Sequence, residues 1–408
     1  MAGATIDHLV SLVVLLGALL LFIGLFNQTI QTAISYQQDR NVATECSDLL
    51  DSILLSPGFP LDSNTTTFWG RTNSTPTIFG LQDPEFTQYE LSPFSLMRLN
   101  YSQGSPVYYS KTLMYYSNNT VGSGASLLVP FSEVLNYSTV TGLLGINGTY
   151  GFSLTITPIV TININQIQAK PLNLTVTATG NGYPLPNANL SYCIIDVTGQ
   201  TQYPSYGIIS GTSMTNSAGQ AFLNFSGIDG TQASYAVIVY ASLNGLVGVG
   251  YQIHNLYNTD YAVPLIGDFN NGSVLLAHSL DLYGGGSSTS MGYNATFILL
   301  AQDFTLQQLQ LGNTSGSIGA GAYGTIAVPT NNTGIPGVLA VAYEVNQASS
   351  GVVLMPWGAS SLSFPVVFGA NPLAKEWVAT DIRQVTVNGV SYQAKLALWS
   401  LAGYQTVS

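Results

Sequence analysis

The stretch Leu9–Phe26, LVSLVVLLGALLLFIGLF, contains eighteen residues, and Ser11 is its only polar side chain. As an α-helix this run would be about 27 Å long at about 1.5 Å per residue, which is close to the roughly 30 Å hydrocarbon core of a bilayer. The sequence therefore predicts one transmembrane helix near the N-terminus.

A cleaved secretory signal is the main alternative for this stretch. Such a signal begins with positively charged residues and has an apolar core of about 7–15 residues. The preceding MAGATIDH contains no Lys or Arg, the apolar run is longer than such a core, and the residues after Phe26 lack the small side chains that a signal peptidase requires. We therefore expect an uncleaved anchor.

The orientation of the anchor is predicted by sequons, because flanking basic residues are too few to decide it. Fourteen Asn-x-Ser/Thr sequons occur, and the one at Asn27 directly follows the apolar run. Acceptors of N-linked glycans lie outside the cell, so the C-terminal domains are expected there. The other thirteen are candidate glycosylation sites: Asn64, Asn73, Asn100, Asn118, Asn136, Asn147, Asn173, Asn189, Asn224, Asn271, Asn294, Asn313 and Asn331.

The predicted helix continues beyond the membrane. Apolar residues recur at three- and four-residue spacing up to the Ser56-Pro57-Gly58 breaker. They are Val42, Cys46, Leu49, Leu50, Ile53 and Leu54. This stripe would pack either on the chain's own first domain, which the polar residues just above the membrane favour, or on copies of itself.

The charge balance excludes one class of partner. Eight basic residues face 19 acidic ones, for a net charge of −11, which is the wrong sign for a nucleic-acid surface. The two cysteines, Cys46 and Cys193, lie on an apolar helix stripe and in a strand-like segment. Although a disulfide is possible outside the cell, we expect two separately buried thiols.

Residues 57–156 combine turns with a short amphipathic segment at 130–144 and an alternating strand at Tyr150–Thr157, which indicates an α+β domain. Together with the apolar helix, the segments Leu54–Pro60 (LLSPGFP), Phe68–Gly70, Phe79–Leu81 and Leu143–Phe152 resemble archaeal membrane-anchored surface proteins related to type IV pilins. The resemblance implies a long helix followed by a small α+β head. MAGATIDH departs from pilins, since it lacks the charged leader that a prepilin peptidase removes.

Residues 157–256 show short alternating strands separated by turns every 8–12 residues or so, a pattern typical of a β-sandwich. The segments NGYPLPNANLSY (Asn181–Tyr192), TNSAGQAFLNFSG (Thr215–Gly227) and YAVIVYA (Tyr235–Ala241) resemble Ig-like modules of the Big-1 or carboxypeptidase-regulatory type. The resemblance implies a spacer or display module without catalytic residues.

Residues 257–408 are rich in Gly and strand-forming residues, and Asn388-Gly389 predicts a hairpin turn. The predicted fold class is mainly β with one long N-terminal transmembrane and stem helix, comprising several domains. The expected boundaries are 1–56 for the helix and stem, 57–156 for the pilin-like head, 157–256 for the Ig-like sandwich and 257–408 for a C-terminal β domain. The last was expected farthest from the anchor.

Motifs for chemistry are weak. Gly319–Gly324 matches GxGxxG but precedes a strand-like segment, and Asp268–Gly272 resembles a calcium loop without its closing Glu, so both are interpreted as turns. His8, His254 and His278 are far apart. No catalytic residue, metal ligand or cofactor is predicted.

Two carboxylate pairs, Asp260 with Asp268 and Glu376 with Asp381, and four tryptophans, Trp69, Trp357, Trp377 and Trp399, are the remaining candidates for a sugar-binding or hydrolytic face.

These observations predict a non-enzymatic, glycosylated, single-pass protein of an archaeal cell membrane with a structural or adhesive role. The expected partner is the lipid bilayer, through Leu9–Phe26, with self-association through the helix or contact with other surface proteins. The alternatives are a pilin-type filament subunit, or a membrane-tethered protein that binds or hydrolyses extracellular glycans or peptides.

Overall fold

The computed structural model describes residues 2–60, 68–71, 75–84, 88–99, 104–121, 125–127, 134–198, 203–268, 272–309, 311, 314–328, 337–345, 349–357, 365–372 and 377–401. Within these ranges the helices are α1 (Ala2–Leu55), α2 (Pro93–Met97), α3 (Tyr137–Leu143) and α4 (Ser279–Tyr283). The strands are β1 (Phe59–Pro60), β2 (Pro76–Ile78), β3 (Gly104–Tyr109), β4 (Met114–Val121), β5 (Ala125–Leu127), β6 (Tyr150–Pro158), β7 (Val160–Gln168), β8 (Leu172–Gly180), β9 (Tyr183–Pro184), β10 (Asn189–Thr198), β11 (Ser205–Met214), β12 (Gln220–Phe225), β13 (Tyr235–Leu243), β14 (Leu246–His254), β15 (Ala262–Asp268), β16 (Ser273–His278), β17 (Met291–Leu300), β18 (Leu306–Leu309), β19 (Ser315–Ile318), β20 (Tyr323–Ala327), β21 (Gly337–Val345), β22 (Ser349–Trp357), β23 (Val366–Gly369), β24 (Ala379–Val387) and β25 (Val390–Ser400).

Helix α1 is continuous from the apolar run to Leu55, as the sequence predicted. Neither Pro nor a left-handed Gly interrupts it, and Pro57 with Gly58, whose φ is 72°, ends it. The six apolar residues of the predicted stripe are all buried, whereas residues 8–38 are exposed on every side. The helix therefore has a free part and a packed part, and we call residues 42–55 the stem.

The stem packs on a four-stranded antiparallel sheet, which we call the head sheet, with strand order β23-β6-β25-β24. Alternate residues of β6 are buried, including Phe152, Leu154 and Ile156. Strands β24 and β25 form the predicted hairpin, with φ of 50° at Asn388 and 77° at Gly389. This hairpin lies directly under the stem.

The pairing of β6 with β25 joins the second and fourth expected domains in one sheet. The expectation that all of residues 257–408 lie farthest from the anchor is wrong, because β24 and β25 contact the stem. Pairing between strands more than 200 residues apart leaves no trace in local alternation, which reports only which side chains are buried. Residues 159–365 therefore leave the head sheet after β6 and return to it at β23.

A two-sheet β-sandwich follows β6, as predicted for this part of the chain. One sheet has the order β12-β8-β7 and the other β11-β10-β13-β14. Their facing side chains form a core of their own; Leu174, Val176, Ile194 and Val237 belong to it. This arrangement confirms the mainly β fold class with a sandwich.

The larger sheet of the sandwich is buried on its other face as well. Cys193, Ile195, Ile238 and Tyr251 belong to the same apolar cluster as the stem and the head sheet. A sheet covered on both faces has continuous apolar strands, and residues 234–241 are all buried. The sandwich is thus packed into the body rather than projecting from it as a spacer.

Two further sheets complete the body, with strand orders β15-β16-β20 and β18-β17-β21-β22. Strand β21 is buried along its whole length. Strand β19 pairs with β17 beside this second sheet, and the sheet β3-β4-β5 packs nearby through Tyr109 and Tyr116. One apolar cluster runs from the stem through the head sheet to these outer sheets.

Candidate functional site: the exposed helix and its attachment to the head

Helix α1 is the one helix in the described part of the chain that is long and apolar enough to cross a membrane. Its most apolar eighteen-residue window has a mean hydropathy of 3.0, and none of that window is buried in the protein. A core helix of a soluble domain would hide such a surface, because fully exposed Leu, Val and Phe side chains are unfavourable in water. The geometry therefore leaves Leu9–Phe26 available to lipid.

Residues 27–41, which we call the neck, separate this apolar run from the stem. The neck is polar on most positions but also exposes Ile30, Ile34 and Tyr36. Thr29 and Thr32 donate hydrogen bonds to carbonyls one turn earlier, those of Leu25 and Gln28. The neck is about 22 Å long, at about 1.5 Å per residue.

The stem is held by apolar contacts around Cys46. Its side chain is wholly buried between the two strands of the hairpin, where the thiol donates weak hydrogen bonds to the carbonyls of Ala379, at 3.8 Å, and Leu396, at 3.6 Å. Burial raises the pKa of this thiol to about 11. Cys193 is also free and buried, with its pKa raised by burial to about 12, so the prediction of two separate thiols is confirmed.

Arg383 of β24 adds a polar clamp to the stem. Its Nε lies 2.9 Å from Oδ1 of Asp51, and its Nη2 donates to Oδ2 of Asp51 at 3.1 Å and to Ser47 at 3.0 Å. Nη1 donates to Asp381 at 2.7 Å. Burial alone would raise the pKa of Asp381, but hydrogen bonds from Ser47, the Ile382 N–H and Arg383 outweigh it and lower that pKa. The guanidinium thus joins two successive turns of the stem, those of Ser47 and Asp51, to the hairpin.

The loop before α2 pairs with the outer edge of β24 at Thr386. Leu91 donates to the Thr386 carbonyl at 2.8 Å, and Thr386 donates to the Tyr89 carbonyl at 2.9 Å. The Glu90 carboxylate accepts hydrogen bonds from the Thr386 hydroxyl and the Gly389 N–H. Burial raises the pKa of Glu90 in spite of these bonds. The hairpin therefore contacts the stem and, at the Thr386 end of its outer edge, this loop.

Asp260, His278 and Ser287 come together, the residue types of a hydrolytic triad, but each is used structurally. Asp260 accepts from the N–H and hydroxyl of Ser287 and from the Tyr257 hydroxyl, each at 2.9 Å. His278 is fully buried; its Nδ1 accepts from the Leu280 N–H, and its Nε2 lies 3.1 Å from the Thr289 carbonyl. These bonds hold the glycine-rich loop after α4 and form no nucleophile relay.

The other chemical candidates are dispersed. Residues 319–322 form the turn between β19 and β20, and Tyr323 and Gly324 begin β20, so the segment is not a strand-to-helix loop. In the calcium-like segment, residues 269–271 lie outside the described residues, as does Glu376. Trp69 and Trp399 are core residues, and Trp377 is 39% exposed. Among the described residues no cluster of three His, Cys, Asp or Glu side chains is arranged for a metal ion.

The candidate glycosylation sites fall into distinct environments. Asn136, Asn147, Asn189 and Asn224 are exposed, and Asn173 is half-buried. Asn294 is half-buried, and its amide nitrogen donates to the Pro204 carbonyl at 3.1 Å, so it is the least available acceptor among these. Asn118 lies on β4. The remaining candidates lie outside the described residues: Asn64, Asn73, Asn100, Asn271, Asn313 and Asn331.

Comparisons with known proteins add little. No protein-family model matches the chain, and no curated protein matches it. Among solved structures, Escherichia coli alpha-2-macroglobulin activated by porcine elastase is similar over 66% of this chain and 25% of that chain, with 9% identity and a TM-score of 0.20. The native conformation of E. coli alpha-2-macroglobulin is similar over 66% and 19%, with 10% identity and a TM-score of 0.20. The chain spans a quarter or less of these proteins, and a TM-score of this size supports no conclusion about function.

Proposed function

We propose that this protein is a non-enzymatic, single-pass surface protein that α1 anchors in the cell membrane, with its β domains outside and glycosylated, and that its role is structural or adhesive. The observation that carries the proposal is the division of α1. Its segment Leu9–Phe26 is apolar and exposed on all sides, and its stem is fixed to the head by apolar packing and the Arg383 clamp. An anchor joined rigidly to a large body suits a protein that holds a surface away from a membrane.

Vesicle flotation tests the anchor. The full chain, co-expressed with or reconstituted into liposomes, is expected to float with the lipid and to resist extraction at high salt. A Leu16→Arg variant places a charge at the centre of the apolar run, where it costs about 2.5–3.5 kcal/mol on insertion scales, and should shift protein to the unbound fraction. Gln31→Arg, in the neck, is the matched control and should float like the unaltered chain.

Orientation is tested on intact cells. External protease should digest the β domains while the cytoplasm stays sealed, and an endoglycosidase should lower the mass of the protein if the exposed sequons carry glycans. Protection of the β domains in sealed cells would contradict the proposed orientation, and flotation of Leu16→Arg equal to that of Gln31→Arg would contradict the anchor.

A filament subunit is the second candidate, and the neck favours it. An isolated helix with β-branched residues and no tertiary packing is marginal in water, yet the neck is helical and exposed on every side. Copies packed around it would bury Ile30 and Ile34. The mass of the N-terminal peptide, with electron microscopy of native envelopes, separates the two: removal of residues ahead of Leu9 together with filaments supports the subunit, and an intact N-terminus without filaments supports the static anchor.

A further inference from the structure

Strand β11 is an open edge of the sandwich. All ten of its residues pair with β10 in one unbroken register, from Ser205 opposite Thr198 to Met214 opposite Asn189. Across the described residues no strand pairs with its other side. An open edge presents unpaired backbone N–H and C=O groups that another strand can bind.

Several of the other edges in the described part of the chain are protected, whereas β12, with six uncharged residues and Phe222 exposed, is a second open edge of the sandwich. The loop around Glu90 pairs with β24 at Thr386. Strand β15 contains Pro264, and β18 and β23 have four residues each. The edges of β7 and β14 close on each other, since Gly248 lies against Val160 and Gly250 against Ile162.

Strand β11 lacks the features that usually prevent an edge strand from pairing with another chain. Its sequence SYGIISGTSM contains no Pro, no bulge and no charge, and residues 203–227 as a whole are uncharged in a chain with a net charge of −11. Natural edge strands are normally blunted by charged residues, Pro, bulges or short length. Strand β11 also exposes Ile209 (44%) and Met214 (57%).

We propose that β11 binds β11 of a second copy of this chain as an antiparallel pair across a two-fold axis. Self-pairing suits an uncharged strip, because two copies that repel elsewhere meet there without like charges in contact. If the proposed anchor holds, confinement to one membrane raises the effective concentration of copies. The pair would complete the backbone hydrogen bonds of both edges and cover both Ile209 side chains.

The sequons locate the centre of the pair. Asn189 lies opposite Met214, and Asn224 lies on the neighbouring edge strand β12. A glycan at Asn189 would stand beside the Met214 end, and Ser205–Ile208 are half-buried beside β17 and β18, so Ile209 and Ser210 are the exposed residues between them. The two-fold axis is therefore expected to pass through Ile209 or Ser210.

A single-cysteine scan tests the geometry. A two-fold axis places one residue opposite its own copy, with Cα atoms about 4.5–5.5 Å apart, and separates each neighbouring residue from its copy by about 8 Å, too far for a disulfide. Single substitutions to Cys at Ser205, Tyr206, Ile208, Ile209 and Ser210 in the full chain on liposomes should give one dominant disulfide-linked dimer on oxidation. Cys46 and Cys193 are buried and should not contribute. Thr380→Cys, exposed on β24, the strand that contacts the stem, is the control and should give background cross-linking.

A charge variant supplies the second measurement. Ile209→Lys, or Ser210→Lys where the most reactive cysteine is at position 209, places like charges near the axis of the pair. In the background of that cysteine it should reduce the dimer at least tenfold, whereas Tyr183→Lys, exposed on β9, should not. Equal cross-linking at all five positions and at Thr380→Cys, or a dimer that the charge variant leaves intact, would overturn the proposal. Flotation of the same samples reports the anchor separately, so failure of the pair and failure of the anchor are distinguishable.

Discussion

At the scale of single residues, Arg383 supplies the polar contacts that attach the stem to the head. It is one of eight basic residues in the chain and forms four hydrogen bonds with Ser47, Asp51 and Asp381. Arg383→Met would leave two carboxylates close together without their cation, so we expect the free energy of unfolding to fall by about 1–2 kcal/mol, a charged hydrogen-bond value reduced for partial exposure. Chemical denaturation of the head measures this change.

Lys395→Met is the matched control for Arg383. Lys395 lies exposed on the adjacent strand β25, opposite Ile382, so its substitution should change the free energy of unfolding by less than about 0.5 kcal/mol. An equal loss of stability in Arg383→Met and Lys395→Met would show that the loss comes from the change in net charge and that the hydrogen bonds of Arg383 do not stabilise the fold.

Glu90 predicts a pH dependence with a definite sign. The pKa of its carboxyl is raised above 4.5 by burial, so the unfolded chain has the lower pKa. The buried charge therefore destabilises the fold above about pH 4.5, and protonation of the folded state relieves this as pH falls through the raised pKa. Glu90→Gln removes the charge at every pH, so its gain in Tm over the unaltered protein should be larger near pH 7 than near pH 4.

Thermal unfolding at the two pH values measures this difference. Glu45→Gln, at an exposed position of the stem helix, is the control and should show the same Tm difference at both pH values. A Glu90→Gln variant that is less stable than the parent near pH 7 would mean that the bonds to Thr386 and Gly389 outweigh the cost of the buried charge.

The role of an individual residue could be predicted from the sequence only where its contacts are with residues close to it in the chain. Asn388 and Gly389 adopt the positive φ of a hairpin turn, which Asn and Gly tolerate at neighbouring positions, and the sequence alone indicated this. The partners of Arg383 and Glu90 lie some 300 residues away, so no local pattern could reveal them. The scarcity of basic residues was the only available signal for Arg383.

At the scale of elements, the stem predicts how the helix is retained. Leu50 is fully buried against the hairpin, so Leu50→Ala should lower the free energy of unfolding by about 2–5 kcal/mol through lost burial and a cavity. Thr44→Ala, on the exposed side of the same helix, should change it by less than about 0.5 kcal/mol. Hydrogen exchange of the stem would show the loss locally, and unchanged protection in Leu50→Ala would contradict the packing.

Elements with a strong period were predicted well. The three- and four-residue spacing of the stem and the alternation at Tyr150–Thr157 match α1 and β6. Of the amphipathic segment at 130–144, residues 130–133 lie outside the described residues, and helix α3 occupies Tyr137–Leu143, with Asn136 as its N-cap accepting from the Ser138 N–H. A short helix depends on its cap and neighbours more than on its period.

At the scale of the whole molecule, the head needs both ends of the described chain. A chain ending at residue 378 lacks β24 and β25 and would expose Cys46 and Leu50, so we expect the stem to become sensitive to protease and the protein to aggregate. A chain ending at Leu401 keeps all described contacts and should behave like the full chain. Limited proteolysis compares the two, and a resistant stem in the shorter chain would contradict the shared sheet.

The order of the domains was the least predictable property. Composition and turn spacing indicated a sandwich and further strands, but both describe neighbours in sequence, whereas the head sheet pairs β6 with β25, more than 200 residues later in the chain. Local sequence patterns predicted an apolar membrane helix. They could not show that the stem of this helix is held by residues near the C-terminus.

The return of the chain to the head sheet also determines how the protein would bear tension. Residues 159–365 are connected to the head through β6 and β23, which lie side by side with Val366 opposite Ile156. A force pulling on the outer sheets is therefore divided between two covalent connections, and β25, paired with β6 and packed on the stem, passes it to the helix. Because the outer sheets are connected to the head sheet at both ends of residues 159–365, a break in one connection would leave them attached through the other.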